Sequence, residues 1–120
     1  MVTQVDYDGR VFRSISNSAG GDVDAATRFH YHQRDRVVTG TYSGGGVREG
    51  VLIGLVAEDG SLDLRYAHVA ADGGLMTGRC DSVVQVLDDG RYRLHETWEW
   101  TGGGQGSGVS VVEEERSDSA

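Results

Sequence analysis

The sequence predicts an all-β fold, an antiparallel up-and-down barrel of about eight strands with little or no helix. Three observations predict it. Short runs rich in Val, Leu, Thr, Tyr and Trp follow one another along the chain. Between them stand Asp8-Gly9, Gly44-Gly45-Gly46, Asp59-Gly60, Asp72-Gly73-Gly74, Asp89-Gly90 and Gly102-Gly103-Gly104. Gly reaches positive φ without a Cβ penalty and Asp tolerates it, so such pairs between alternating runs are strong hairpin signals. The chain also contains no Pro, so no strand is barred from a central position, and closing the sheet removes edges that Pro would otherwise help protect.

The candidate strands, in order, are Arg10 to Ser16, Thr27 to Gln33, Arg36 to Ser43, Val47 to Ala57, Ser61 to Ala70, Leu75 to Leu87, Arg91 to Thr101 and Gly108 to Glu114. Val2 to Tyr7 offers a short extra partner to the first through the Asp8-Gly9 turn. Asn17 to Asp24 is the one long loop, with room for a single helical turn at Ala25-Ala26. Nearly every other connection is a short hairpin between sequential neighbours, which favours a meander over the Greek-key connections of a sandwich. Gly40, Gly50, Gly54 and Gly78, inside strands, suit the bulges or coiling that closure needs. Residues 1–115 form one barrel domain and residues 116–120 a flexible polar tail.

Composition bounds the function. With 38% hydrophobic and 25% charged residues the 120-residue chain has the make-up of one soluble domain, and no apolar run approaches a membrane-spanning helix. No secretory signal opens the sequence, so a cytoplasmic location is expected by default. The net charge of -8 and pI near 4.8 repel phosphate backbones and anionic lipid, which argues against nucleic-acid and membrane partners. Cys80 is the lone cysteine; it forms no internal disulfide and reads as a small buried hydrophobe.

Strand alternation sorts the side chains into two faces. In the seventh strand Tyr92, Leu94, Glu96, Trp98 and Trp100 share one face, while Arg91, Arg93, His95, Thr97 and Glu99 share the other. The first must be the lumen, so Glu96 sits among aromatic and aliphatic neighbours, where a carboxylate must be paired, hydrogen-bonded or protonated. Leu62, Leu64, Tyr66 and His68 repeat the situation in the fifth strand. Phe29, Tyr31 and Gln33 form the inner face of the second strand, and Val38 with Tyr42 that of the third. In the sixth, alternation leaves open whether Met76 and Cys80 or Arg79 points inward. The lumen therefore gathers Tyr31, Tyr42, Tyr66, Trp98 and Trp100 as aromatic walls, with Glu96 and His68 as polar anchors.

Two other motifs carry less. His30-Tyr31-His32 places two imidazoles on one side of a strand, but no further ligand cluster accompanies them, so no metal site is assigned. Gly102 to Gly108 has the composition of a phosphate loop without the helix that such a loop opens, and reads as a hairpin.

The segments Tyr7-Asp8-Gly9-Arg10-Val11-Phe12, Phe29-His30-Tyr31-His32-Gln33, Leu75-Met76-Thr77-Gly78-Arg79-Cys80 and Leu94-His95-Glu96-Thr97-Trp98-Glu99-Trp100-Thr101 resemble a family of short bacterial proteins of unassigned activity. Some of its members carry the label N-acetylglutamate synthase. That chemistry implies an acetyl-CoA turn at a helix start within an α/β fold, and Gln105 to Ser110 approaches the turn but no helix-forming segment follows it. The architecture is more similar to the calycin-like barrels, the structural group of lipocalins, avidins and fatty-acid-binding proteins.

The leading expectation is thus a small-molecule-binding barrel that uses no cofactor. A cofactor-free isomerase, cyclase or decarboxylase using Glu96 and His68 as acid and base is the alternative. A filled barrel acting through its surface, or as a homodimer, is the third.

Overall fold

The computed structural model describes residues 5–116. Eight strands, β1 (Val11–Asn17), β2 (Arg28–Arg34), β3 (Val37–Gly44), β4 (Val47–Val56), β5 (Leu62–Ala70), β6 (Leu75–Val86), β7 (Tyr92–Gly102) and β8 (Ser107–Glu114), follow in sequential order around a closed barrel. β8 closes on β1 antiparallel, with Phe12 opposite Glu114 and Asn17 opposite Ser110, across an irregularity between Ser14 and Ser16. Every edge is thereby paired.

Three hairpins share one local device. In each, an Asp carboxylate accepts the amide two residues on: Asp59 from Ser61 at 2.9 Å, Asp72 from Gly74 at 2.9 Å, Asp89 from Arg91 at 3.2 Å. The following Gly60, Gly73 and Gly90 have φ of 87°, 92° and 90°, completing three-residue loops of the type I plus left-handed form. The Asp8-Gly9 turn does something else. Instead of joining a hairpin, residues 5–10 cross the barrel end where those of β2–β3, β4–β5 and β6–β7 meet. Val5 to Tyr7 therefore form no strand, and the rest of the expected extra strand, residues 2–4, lies outside the described residues. The Gly9 amide donates to the Tyr31 carbonyl at 2.9 Å and the Tyr7 hydroxyl donates to the Gly60 carbonyl at 2.6 Å. Tyr7 is fully buried and plugs this end. Ala25-Ala26 is a turn rather than helix, and of the expected tail 116–120 only Arg116 falls within the described residues.

Inward glycines make the lumen fit its rings. Gly50 lies directly opposite Tyr42, Gly78 opposite Tyr66 and Gly108 opposite Trp98. A Cβ at any of the three would fall on the facing ring. These glycines act by leaving space for the cross-strand side chain, and only some coincide with irregularities in register, such as that between Thr77 and Gly78. Gly78→Ala is expected to push Tyr66 off its seat and cost about 1–3 kcal/mol, the usual overpacking range. Urea denaturation checks this, and an unchanged midpoint would show that Tyr66 relaxes freely. On the outer wall Val51, Ile53 and Leu55 of β4 are exposed, so the apolar character of that strand on both faces reflects one lumenal and one external row.

Candidate functional site

The strand register delivers the lumen the alternation predicts. On β7 Tyr92, Leu94 and Trp98 are buried, Glu96 and Trp100 are partly buried on the same inner face, and His95, Thr97 and Glu99 are exposed. On β5 His68 is 2% exposed. Tyr31, Tyr42, Tyr66, His68, Glu96, Trp98 and Trp100 all line one cavity, so every expected site residue is brought together. Of the other expected inner-face residues, Val38, Leu62, Tyr92 and Leu94 are buried in the core outside the cavity lining, and Gln33 is not in the core. It sits at the plugged end, where its Oε1 accepts the Tyr7 amide at 2.9 Å and its Nε2 donates to the Asp35 carbonyl at 2.9 Å, because β2 runs out of the barrel there. On β6 Cys80 points in and Arg79 out.

The cavity leaves about 60 Å³ within reach of the centre of a water molecule, room for a few waters or a compact molecule. Its walls are rings in mutual contact. Tyr42 stacks on Phe29 at 5.0 Å, Trp100 meets Tyr66 at 6.1 Å and His68 at 5.7 Å, and Trp98 meets Trp100 at 5.5 Å.

The segment between β1 and β2, expected only to be a long loop, is the roof. It folds over the open end and is tied to the inner wall at three points. The Trp98 indole donates to Asn17 Oδ1 at 3.0 Å, the Trp100 indole donates to the Gly20 carbonyl at 3.1 Å, and His68 Nε2 bonds Asp22 Oδ2 at 2.9 Å. Asn17 Nδ2 donates to the Val23 carbonyl at 3.1 Å, holding the loop on itself. Gly21 and Val23 complete the lining. Sequence reasoning missed Asn17 and Asp22, since a Gly-rich loop carries no periodicity from which to read a direction.

Glu96 is the chemical centre. Its strand neighbours on both sides are serines, Ser82 on β6 and Ser110 on β8. Ser110 donates to Oε1 at 2.9 Å and Ser82 to Oε2 at 3.3 Å. Ser82 was legible in principle, because counting outward from the Asp89-Gly90 turn sets it opposite Glu96. Burial pushes the Glu96 carboxyl up to about 7, and hydrogen bonds from Ser110, Ser82 and Cys80 pull back against that rise. Burial also pushes the Tyr31, Tyr42 and Tyr66 hydroxyls and the Cys80 thiol well up, so they stay protonated donors. His68 is bonded at both nitrogens, Nδ1 to the Tyr42 hydroxyl at 2.8 Å and Nε2 to Asp22. A strand face, a ring of the lumen and the roof loop are joined through that one imidazole.

A family model described as avidin-like protein matches residues 5–115, from the plug segment to the end of the barrel. The chain belongs to the avidin-like protein family. No curated protein matches it. Family membership and the closed eight-stranded meander agree on a calycin-like architecture, with the aromatic cavity under the roof at one end of the barrel. The histidine pair on β2 is not part of it: His30 and His32 are exposed on the outer wall, and His95 bonds Gln85 on β6 at 2.8 Å. Among the described residues no group of three or more His, Cys, Asp or Glu is placed to hold a metal ion. The glycine run after β7 forms the β7–β8 hairpin, in which the Trp100 amide donates to the Gly106 carbonyl at 2.9 Å.

Proposed function

We propose that this avidin-like barrel binds a small organic molecule in its lumen, with Tyr31, Tyr42, Tyr66, Trp98 and Trp100 as walls and Glu96 as the polar anchor. The observation that supports this best is the roofed aromatic cavity that ends on a carboxyl with only neutral hydroxyl partners. A core serving stability alone is more simply filled with Leu, Ile and Val than with rings and a carboxyl. A few convergent polar groups in an apolar cleft is the usual form of a ligand site.

Binding is favoured over catalysis by the state of His68. Its two nitrogens already serve Tyr42 and Asp22, so it holds the roof to the wall, and a general base needs a free nitrogen within reach of the proton it abstracts. Glu96 alone remains for acid–base work. Occupancy by a ligand larger than the cavity requires the roof loop to lift, and the Asp22–His68, Asn17–Trp98 and Gly20–Trp100 bonds are the contacts it would exchange.

Tryptophan emission tests the reading directly, because both tryptophans line the lumen and both indoles bond the roof. A lumenal ligand from a metabolite library is expected to shift or quench that emission saturably, and Gly50→Val, which fills the space beside Tyr42, is expected to abolish the response in a variant shown to be folded by circular dichroism. A library with no saturable response in the native protein would defeat this function.

A further inference from the structure

We propose that the lumen selects a compact cationic amine, whose ammonium group rests on the Glu96 carboxylate within the aromatic cage; this deepens the binding function above and rests on it. The argument begins with what the cavity lacks. The chain has no lysine, and none of its arginines lines the lumen. Arg10, Arg91 and Arg93 are spent at the plugged end on Glu113 and Glu114. Glu96 therefore has no counter-charge, only neutral donors in the Ser110 and Ser82 hydroxyls and the Cys80 thiol.

A buried carboxyl without a cation can keep its proton or acquire a cation from outside. The walls suit the second. Tyr66, Trp98 and Trp100 pack around the same space with ring centroids about 6 Å apart, and π faces attract a desolvated ammonium. Glu96 is the carboxylate among the lining residues, and Asp22 of the roof is already held by His68. An anionic ligand would enter this space with no cation to receive it, and a neutral one would leave Glu96 as it is.

The amine also couples binding to pH. Binding the ammonium to protonated Glu96 releases that proton to solvent and leaves an ion pair, so affinity falls as pH drops below the Glu96 value. The other titratable groups that line the cavity with Glu96 are Tyr31 on β2, Tyr42 on β3, Tyr66 and His68 on β5 and Cys80 on β6, and Asp22 of the roof bonds His68. The tyrosines and the thiol stay protonated across the neutral range, and the Glu96→Gln variant separates Glu96 from His68 and Asp22.

The test uses three compact probes of similar shape and different charge: tert-butylamine, tert-butanol and pivalate, titrated against tryptophan emission and by calorimetry at pH 8 and pH 5.5. The amine is expected to bind roughly tenfold or more tighter than the alcohol at pH 8, to weaken by roughly tenfold or more at pH 5.5, and at pH 5.5 to release a proton, read as a binding heat that changes with the ionisation heat of the buffer. Glu96→Gln, shown to be folded by circular dichroism, is expected to bring the amine down to the level of the alcohol. Equal or tighter binding of the alcohol or pivalate to the native protein, or an amine preference that survives in Glu96→Gln, would overturn the choice of class and leave lumenal binding standing. Silence of all three probes, together with the metabolite library, would remove lumenal binding and this inference with it.

Discussion

Tyr7→Ala is expected to destabilise the barrel by about 3–5 kcal/mol, the range for deleting a large buried aromatic side chain. Tyr7 is fully buried across the end opposite the roof, edge-on to Tyr92 at 5.5 Å and tilted against Tyr31 at 6.0 Å. Its hydroxyl donates to the Gly60 carbonyl in the β4–β5 turn at 2.6 Å. Removing the ring opens a cavity beside Tyr31 and Tyr92 and takes the hydroxyl partner from that carbonyl. Tyr7→Phe keeps the ring and is expected to cost about 1 kcal/mol, the net worth of one hydrogen bond. A domain of this kind has only about 5–15 kcal/mol to lose, so Tyr7→Ala should shift the urea midpoint strongly. A loss below about 1 kcal/mol for Tyr7→Ala would mean that residues 5–10 do not plug the barrel.

Glu96→Gln is expected to stabilise the protein at pH 8 by about 3 kcal/mol and to be nearly neutral at pH 4.5. The Glu96 carboxyl is raised from an ordinary 4.5 to about 7 in the folded state, so the native protein holds that proton better than the unfolded chain. Between those two values unfolding releases a proton, and native stability falls as pH rises through the window, with the loss complete above about 7. Glutamine keeps the shape, bonds Ser110 and Ser82 without charge, and removes the dependence. Glu113 works in the other direction: hydrogen bonds from Arg93 and Arg91 hold it below its ordinary value, so its contribution is present at neutral pH and is lost as acid is added. Thermal unfolding from pH 8 down to pH 4.5 reads the Glu96 limb and its continuation below pH 4.5 reads the Glu113 limb, and parallel profiles for the native protein and Glu96→Gln between pH 4.5 and pH 8 would show that Glu96 is not desolvated.

Legibility followed locality. The Asp-Gly turns were visible because the turn residue and the amide its carboxylate accepts lie two positions apart. The inner face of β7 was visible because Trp98, Trp100 and Leu94 share one parity, and that parity carried Glu96 with them. Asp8-Gly9 carries the same local hairpin signal, but the groups that decide its role, the Tyr31 and Gly60 carbonyls, lie on β2 and in the β4–β5 turn.

The in-strand glycines show the boundary most clearly. Gly50 and Gly78 stand out in the sequence, but their purpose depends on Tyr42 and Tyr66 standing directly across the ladder. The meander, its turns and the parity of each strand are written in the chain, since they follow from φ preferences and a two-residue period. The roof and the plug arise only when the barrel closes. Those depend on which groups distant in the chain meet when the sheet closes, and burial then acts on a carboxyl that no local pattern could have isolated from charge.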